Sequence, residues 1–182
     1  MIQNRLYMNY SGYSSCDLAN GSGARVSLFV SGCEIHCHNC FSPSTWDRNN
    51  GLLFDEKAKE RLFKDLSNSY IDGLSLLGGD PLETYNVDEV TELCKEVKEQ
   101  FPNKTIWLWT GRTKKHVENL PIMQYLDVVI SEPYVDKLNS NKTRYRGSTN
   151  QKIWWAKTGD AYTDETLESE HNQNKQPTIK PI

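Results

Sequence analysis

The chain has 182 residues, 37% of them hydrophobic and 25% charged, enough for one ordinary globular domain with a continuous core. A formal net charge of -3 gives no basic excess, which sets aside nucleic acid and anionic membranes as main partners. No apolar run approaches the roughly 20 residues of a membrane helix, and residues 1–15 lack the apolar segment of a signal peptide; a cytoplasmic protein is expected.

Along the chain, apolar β-branched and aromatic runs alternate with helical patterns, and each run ends in glycine or another turn residue, which is the rhythm of βα units. Residues 25–31 (RVSLFVS) predict a strand buried on both faces of a parallel sheet. Residues 55–70 place Ala58, Leu62, Phe63 and Leu66 on one helical stripe and leave Lys57, Lys59, Glu60 and Lys64 for water. A second strand over 73–77 stops at Gly78-Gly79-Asp80-Pro81, which neither a helix nor a central strand tolerates. Asn86 then caps a second helix and Glu89 closes a capping box, with Val87, Val90, Leu93, Cys94, Val97 and Phe101 recurring at helical spacing up to Pro102.

Two further strands follow, over 104–109 and 127–131, ending in Thr110-Gly111-Arg112 and Glu132-Pro133. Residues 1–156 read as one domain. Residues 157–182 carry 5 acidic and 3 basic residues with few apolar ones and read as a loosely ordered tail. Repeated strand-helix units imply right-handed crossovers and chemistry at the C-terminal ends of parallel strands. About five such strands fall short of the roughly 250 residues of an eight-unit barrel, leaving an open partial barrel or a doubly wound sheet.

The chain has five cysteines, too few and too clustered for a secreted disulfide scaffold. Cys33, Cys37 and Cys40 have the spacing C-x3-C-x2-C directly after the first predicted strand. Three thiolates on so short a loop can converge on one inorganic centre and leave one metal corner open, whereas structural zinc and electron-transfer clusters usually take four protein ligands. Zinc could still recruit His36 or His38 as a fourth ligand, and Cys37 and Cys40 could form a redox dithiol with Cys33 idle. Cys94 falls on a buried stripe, and Cys16 is either a surface thiol or close to the site.

C-x3-C-x2-C after the first strand resembles the signature of the radical S-adenosylmethionine (SAM) superfamily, and Gly78-Gly79-Asp80-Pro81 resembles its SAM-binding GGEP element. The likeness narrows to the activating proteins of anaerobic (class III) ribonucleoside-triphosphate reductases. It is carried by Asn20-Gly21-Ser22-Gly23-Ala24-Arg25, by residues 78–82, by residues 107–112 (WLWTGR) and by residues 146–151 (RGSTNQ), together spanning most of residues 5–155. Ser44-Thr45-Trp46 and the Asp127-Val-Val run also look like that family. One departure is Asn39, where radical SAM enzymes commonly carry an aromatic residue and this family often has glycine; Phe41 is close enough to contribute.

The resemblance implies an open partial βα barrel, with a 4Fe-4S cluster on Cys33, Cys37 and Cys40. It also implies a SAM pocket from Asn39, Cys40, Phe41, Gly78, Gly79, Asp80 and Pro81. Paired glycines would let backbone approach the methionine part of SAM, with Asp80 or nearby carbonyls meeting its ammonium group. The expected reaction is reductive cleavage of SAM and formation of a glycyl radical on the reductase large subunit, with electrons from a low-potential donor such as flavodoxin. Arg112, Arg144 and Arg146 could contact that partner or the SAM carboxylate, and no side chain is assigned a catalytic role. The alternatives are activation of another glycyl radical enzyme, of formate-lyase type, and a zinc-stabilised interaction module without turnover.

Overall fold

The computed structural model describes residues 8–163. Four parallel strands form its centre: β2 (Arg25–Val30), β4 (Gly73–Gly78), β5 (Thr105–Trp109) and β6 (Val128–Ser131). Three strands that the sequence rhythm misses complete a mixed sheet of order β3-β1-β2-β4-β5-β6-β7. These are β1 (Asn9–Asp17), β3 (Leu52–Leu53) and β7 (Lys152–Trp155), all antiparallel to their neighbours. β1 is polar and only half buried, so it shows no apolar run, although Tyr10 and Tyr13 pack on the core.

The two predicted helices form. α1 (Glu56–Leu66) starts at Asp55, whose carboxylate accepts from Ala58 N at 2.9 Å, and it buries Leu62 and Leu66. α2 (Val87–Gln100) buries Val90, Leu93, Cys94 and Val97. The expected capping box is absent. Asn86 turns its amide inward to Ser31 O and Asp80 O, and Glu89 accepts instead from Met8 N. The side chain that could have capped the helix ties the loop after β4 to the end of β2. Between β5 and β6 the crossover holds only a four-residue helix, α3 (Lys114–Val117), and a 3-10 turn, Pro121–Gln124. No described helix is long and apolar enough to cross a membrane.

The expected tail begins in ordered structure. Residues 157–162 turn back on β7, with Trp155 N bonded to Asp160 O (2.9 Å) and Tyr162 N to Ile153 O (2.9 Å). Tyr162 is 6% exposed and meets the Trp107 ring edge-on at 5.3 Å. A single buried aromatic anchors an otherwise polar stretch, which composition alone hides. Residues 164–182 lie outside the described residues.

Because β2, β4, β5 and β6 run in parallel, the loops leaving their C-terminal ends share one rim. β7 starts at that same rim, since it runs antiparallel to β6.

Candidate active site

The cysteine loop leaves β2 through Gly32, whose φ of 98° and whose contact with the Tyr85 ring both exclude a side chain. It then folds back on a 3-10 turn, Pro43–Trp46, through Gly32 N to Thr45 O (2.7 Å) and Cys33 N to Trp46 O (3.1 Å). His36 and Asn39 hold left-handed φ values of 48° and 54°, uncommon outside glycine and enriched at functional sites. His36 also stacks on Trp46 at 4.5 Å.

All three thiols are free and line one cavity of about 420 Å³. Burial pushes the Cys33 thiol up to about 11 and raises Cys37 as well. Both therefore carry protons at neutral pH until a metal displaces them.

The Gly78-Gly79-Asp80-Pro81 loop is bonded directly to the cysteine loop, through Gly79 N to Val30 O (2.8 Å) and Asp80 N to Gly32 O (2.8 Å). Gly78 and Gly79 line the cavity. A Cβ on Gly79 would stand 2.4 Å from Gly32 O, so the missing side chain serves the close approach of two loops.

Asp80 does not line the cavity. It is fully buried, and its carboxylate accepts from Leu82 N (2.9 Å), Thr110 Oγ1 (2.9 Å) and Gly111 N (3.1 Å). Burial pushes its pKa up to about 6 against the pull of those donors. Glu83 forms a second crosspiece. It is 1% exposed and accepts from Glu34 N (2.9 Å) in the cysteine loop and from Arg112 Nη2 (2.7 Å) after β5. The loops after β2, β4 and β5 are thus locked together by two buried carboxylates.

The structure sorts the predicted residues. Cys33, Cys37, Cys40, Phe41, Gly78 and Gly79 come together in one wall. Asn39 is exposed and bonds Asp136 Oδ2 (3.0 Å), while Asp80 and Pro81 lie behind the wall. Asp80 therefore holds the loop after β5 and is not placed to meet an ammonium group in the cavity. The three arginines separate as well: Arg112 is committed to Glu83, Arg144 lies over the Tyr145 ring, and Arg146 lines the cavity. Residue reading missed Trp46, Trp109, Tyr134, Tyr145 and Gln151, which also line the cavity. The signal of Trp109 and Gln151 lay in the WLWTGR and RGSTNQ runs and that of Trp46 in Ser44-Thr45-Trp46, whose contacts only the fold discloses; Tyr134 and Tyr145 fall in none of the quoted runs.

Among the described residues, no set of three or more His, Cys, Asp or Glu side chains converges tightly enough for a single metal ion. Structural zinc needs four donors at about 2.0–2.3 Å. An iron-sulfur cluster is larger and its thiolates stand further apart, so three free thiols ringing a cavity of about 420 Å³ fit a cluster.

Comparison with known proteins agrees. Residues 19–154 match the 4Fe-4S single cluster domain. The anaerobic ribonucleoside-triphosphate reductase-activating protein of Enterobacteria phage T4 is 45% identical over 147 residues, covering 81% of this chain and 94% of that protein. Its counterparts from Vibrio cholerae and Escherichia coli are 37% and 35% identical, each covering 80% of this chain and 97% of theirs. The chain carries a 4Fe-4S cluster domain and belongs to the family of anaerobic ribonucleoside-triphosphate reductase-activating proteins.

Proposed function

We propose that the chain activates the large subunit of an anaerobic ribonucleoside-triphosphate reductase as a radical SAM enzyme built on an open partial βα barrel. The observation that carries the reading is the meeting of three free thiols and two glycines in one cavity wall at the C-terminal ends of parallel strands. Cys33, Cys37 and Cys40 would hold the cluster and leave one iron without a protein ligand, open to SAM. With the cluster bound, the chemistry available is one-electron cleavage of SAM to methionine and a 5′-deoxyadenosyl radical, which takes a hydrogen atom from a glycine Cα of the partner. The electron would come from a low-potential donor such as flavodoxin.

The chain's own residues supply position and cover. Gly79 lets the loop after β4 close against the cysteine loop, and Asp80 and Glu83 fix both to the loop after β5. Trp46, Trp109 and Tyr145 give the wall an aromatic surface that keeps water from a reactive radical. At the mouth, Phe41 is 73% exposed and rests on Tyr134 at 5.3 Å. Docking of the partner would close that side.

The test mixes anaerobically reconstituted protein, reductant and SAM with the reductase large subunit and records an electron paramagnetic resonance spectrum. A glycyl doublet on that subunit, absent without SAM, is expected. A doublet that forms only with a formate-lyase type partner would transfer the activity to that class. A colourless protein that takes up zinc and no iron would remove the redox reading.

A further inference from the structure

Next to the cysteine loop, outside the cavity lining, sits an ion pair whose two halves differ in access to water. Glu83 accepts from the backbone N of Glu34 (2.9 Å), the residue after Cys33, and from Arg112 Nη2 (2.7 Å). The Glu83 side chain is 2% exposed and that of Arg112 35%. Among the described residues the Arg112 side chain has no other ion-pair or hydrogen-bond partner, and its buried Nε has no acceptor. Two more buried N–H groups without an acceptor, Trp46 Nε1 and Arg146 Nε, stand in the cavity wall itself.

Support of the loops does not account for a full charge at this place. Glu34 N needs an acceptor, and a neutral amide oxygen would serve. Replacing a buried ion pair by uncharged residues of similar volume is often neutral or stabilising. What the carboxylate adds is a field. Water reaches the guanidinium more than the carboxylate, so the cation is screened more and the pair leaves a net negative potential on its buried side. That potential extends to the cysteines: burial is the main cause that raises the Cys33 thiol, and the charges of Asp80 and Glu83 raise it further.

We infer that Glu83 lowers the reduction potential of the cluster through its charge and that Arg112 limits how far, taking Cys33, Cys37 and Cys40 as the ligands proposed above. Reduction brings one electron from the low-potential donor and no proton, so the thiolate site becomes one charge more negative beside a carboxylate fixed by Glu34 N and Arg112. Net charge and burial are the protein's levers on such a centre. A lower potential makes the reduced centre a stronger one-electron reductant and also a harder one to reduce, so Arg112 keeps it within reach of the donor. Glu83 does not line the cavity and acts at a distance.

The experiment is a spectroscopic redox titration of anaerobically reconstituted protein without SAM, on wild type, Glu83→Gln, Arg112→Gln and the double variant, with iron per chain measured on each sample. Glutamine keeps an acceptor for Glu34 N and removes the charge. At a fixed applied potential, Glu83→Gln should raise the ratio of reduced to oxidised cluster by about tenfold, equal to about 59 mV for one electron. Arg112→Gln should lower that ratio, and the double variant should fall between the two. Opposite signs mark a field, because loosening a strut gives its two partners no reason to differ in sign. Single variants that move the potential in the same direction, or leave it unchanged, would overturn the inference, as would loss of iron from both. If one single variant fails to hold iron, the sign in the other decides. A Cys33→Ala variant that keeps full iron and the wild-type potential would instead overturn the ligand assignment beneath it.

Discussion

The two ends of the parallel strands both contain a cleft and buried charge, and they differ in whether the polar groups are satisfied. At the N-terminal end, Arg25 is completely buried and every N–H of its guanidinium has a partner. Nε donates to Ser75 Oγ (2.7 Å), Nη1 to Ser22 O (3.1 Å) and Thr105 Oγ1 (2.9 Å), and Nη2 to Leu74 O (2.8 Å) and Thr105 O (2.9 Å). The acceptors are all neutral, and burial lowers the guanidinium pKa to about 10. The nearby cleft is larger, about 580 Å³, yet its charged groups are committed: Asp72 to Ala24 N, Lys104 to Asn68 O and Ile71 O.

At the C-terminal end the cavity is smaller and holds free thiols, orphaned donors and strained backbone. All four non-glycine residues with positive φ among the described residues, His36, Asn39, Glu132 and Tyr145, belong to that rim. Cleft size therefore does not mark the site in this molecule; unmet bonding capacity does. The closed end is a staple across β2, β4 and β5, and the open end carries the thiols of the 4Fe-4S cluster domain.

The contrast breaks most sharply under paired substitutions. Cys37→Ala should abolish iron loading, read as iron per chain after reconstitution, while Cys94→Ala, buried in the core away from the cavity, should keep it. Arg25→Leu should do the opposite. It orphans several buried acceptors, each costing about 1–3 kcal/mol, so a loss of at least about 3 kcal/mol is expected from the denaturant midpoint, with iron per folded chain unchanged. If Arg25→Leu folds as stably as wild type, or loses iron while still folded, the two ends are not the separate devices described here.

Much of this division was legible in the residues, and the remainder was hidden for identifiable reasons. β2, β4, α1 and α2 follow from apolar periodicity because each buries a continuous stripe or both strand faces. The cysteine spacing and paired glycines mark the rim because their chemistry is local. β1 and β7 were hidden because short or half-buried strands draw their stability from neighbours distant in sequence. Arg25 read only as the start of a strand and the end of a glycine-bearing motif. Its purpose lies in Gly21 and Gly73, where a Cβ would stand 2.7 Å and 2.8 Å from the Arg25 side chain. Asp80 read as a ligand-facing carboxylate because nothing local says that Thr110 and Gly111 will stand against it.

Gly79 sharpens the comparison at the open end. From sequence its role is access for SAM, so a substitution should spare the cluster. The structure puts Gly32 O at 2.4 Å from its would-be Cβ, on the strand end that launches the cysteine loop. Gly79→Ala should therefore lower iron loading together with SAM affinity, because a backbone oxygen cannot step aside as a flexible side chain does. Full iron content with weakened SAM binding in that variant would restore the simpler role.

The smallest effect concerns Asp80, the counterpart of Arg25 at the opposite end. Arg25 is surrounded by acceptors enough for all its donors, whereas Asp80 has Leu82 N, Thr110 Oγ1 and Gly111 N against complete burial. Burial wins, and the pKa rises from 3.8 to about 6. A folded pKa above the unfolded one means that the folded chain holds the proton more tightly. The stability it contributes is full below about pH 4 and is lost as pH rises through 6, on the order of 3 kcal/mol if wholly expressed. Asp80→Asn cannot titrate, so the unfolding free energy of wild type minus that of the variant should fall from pH 4 to pH 6 and flatten above it. A difference that rises over the same interval would mean that the three donors outweigh burial and hold Asp80 ionised, which would make it a satisfied charge of the same kind as Arg25.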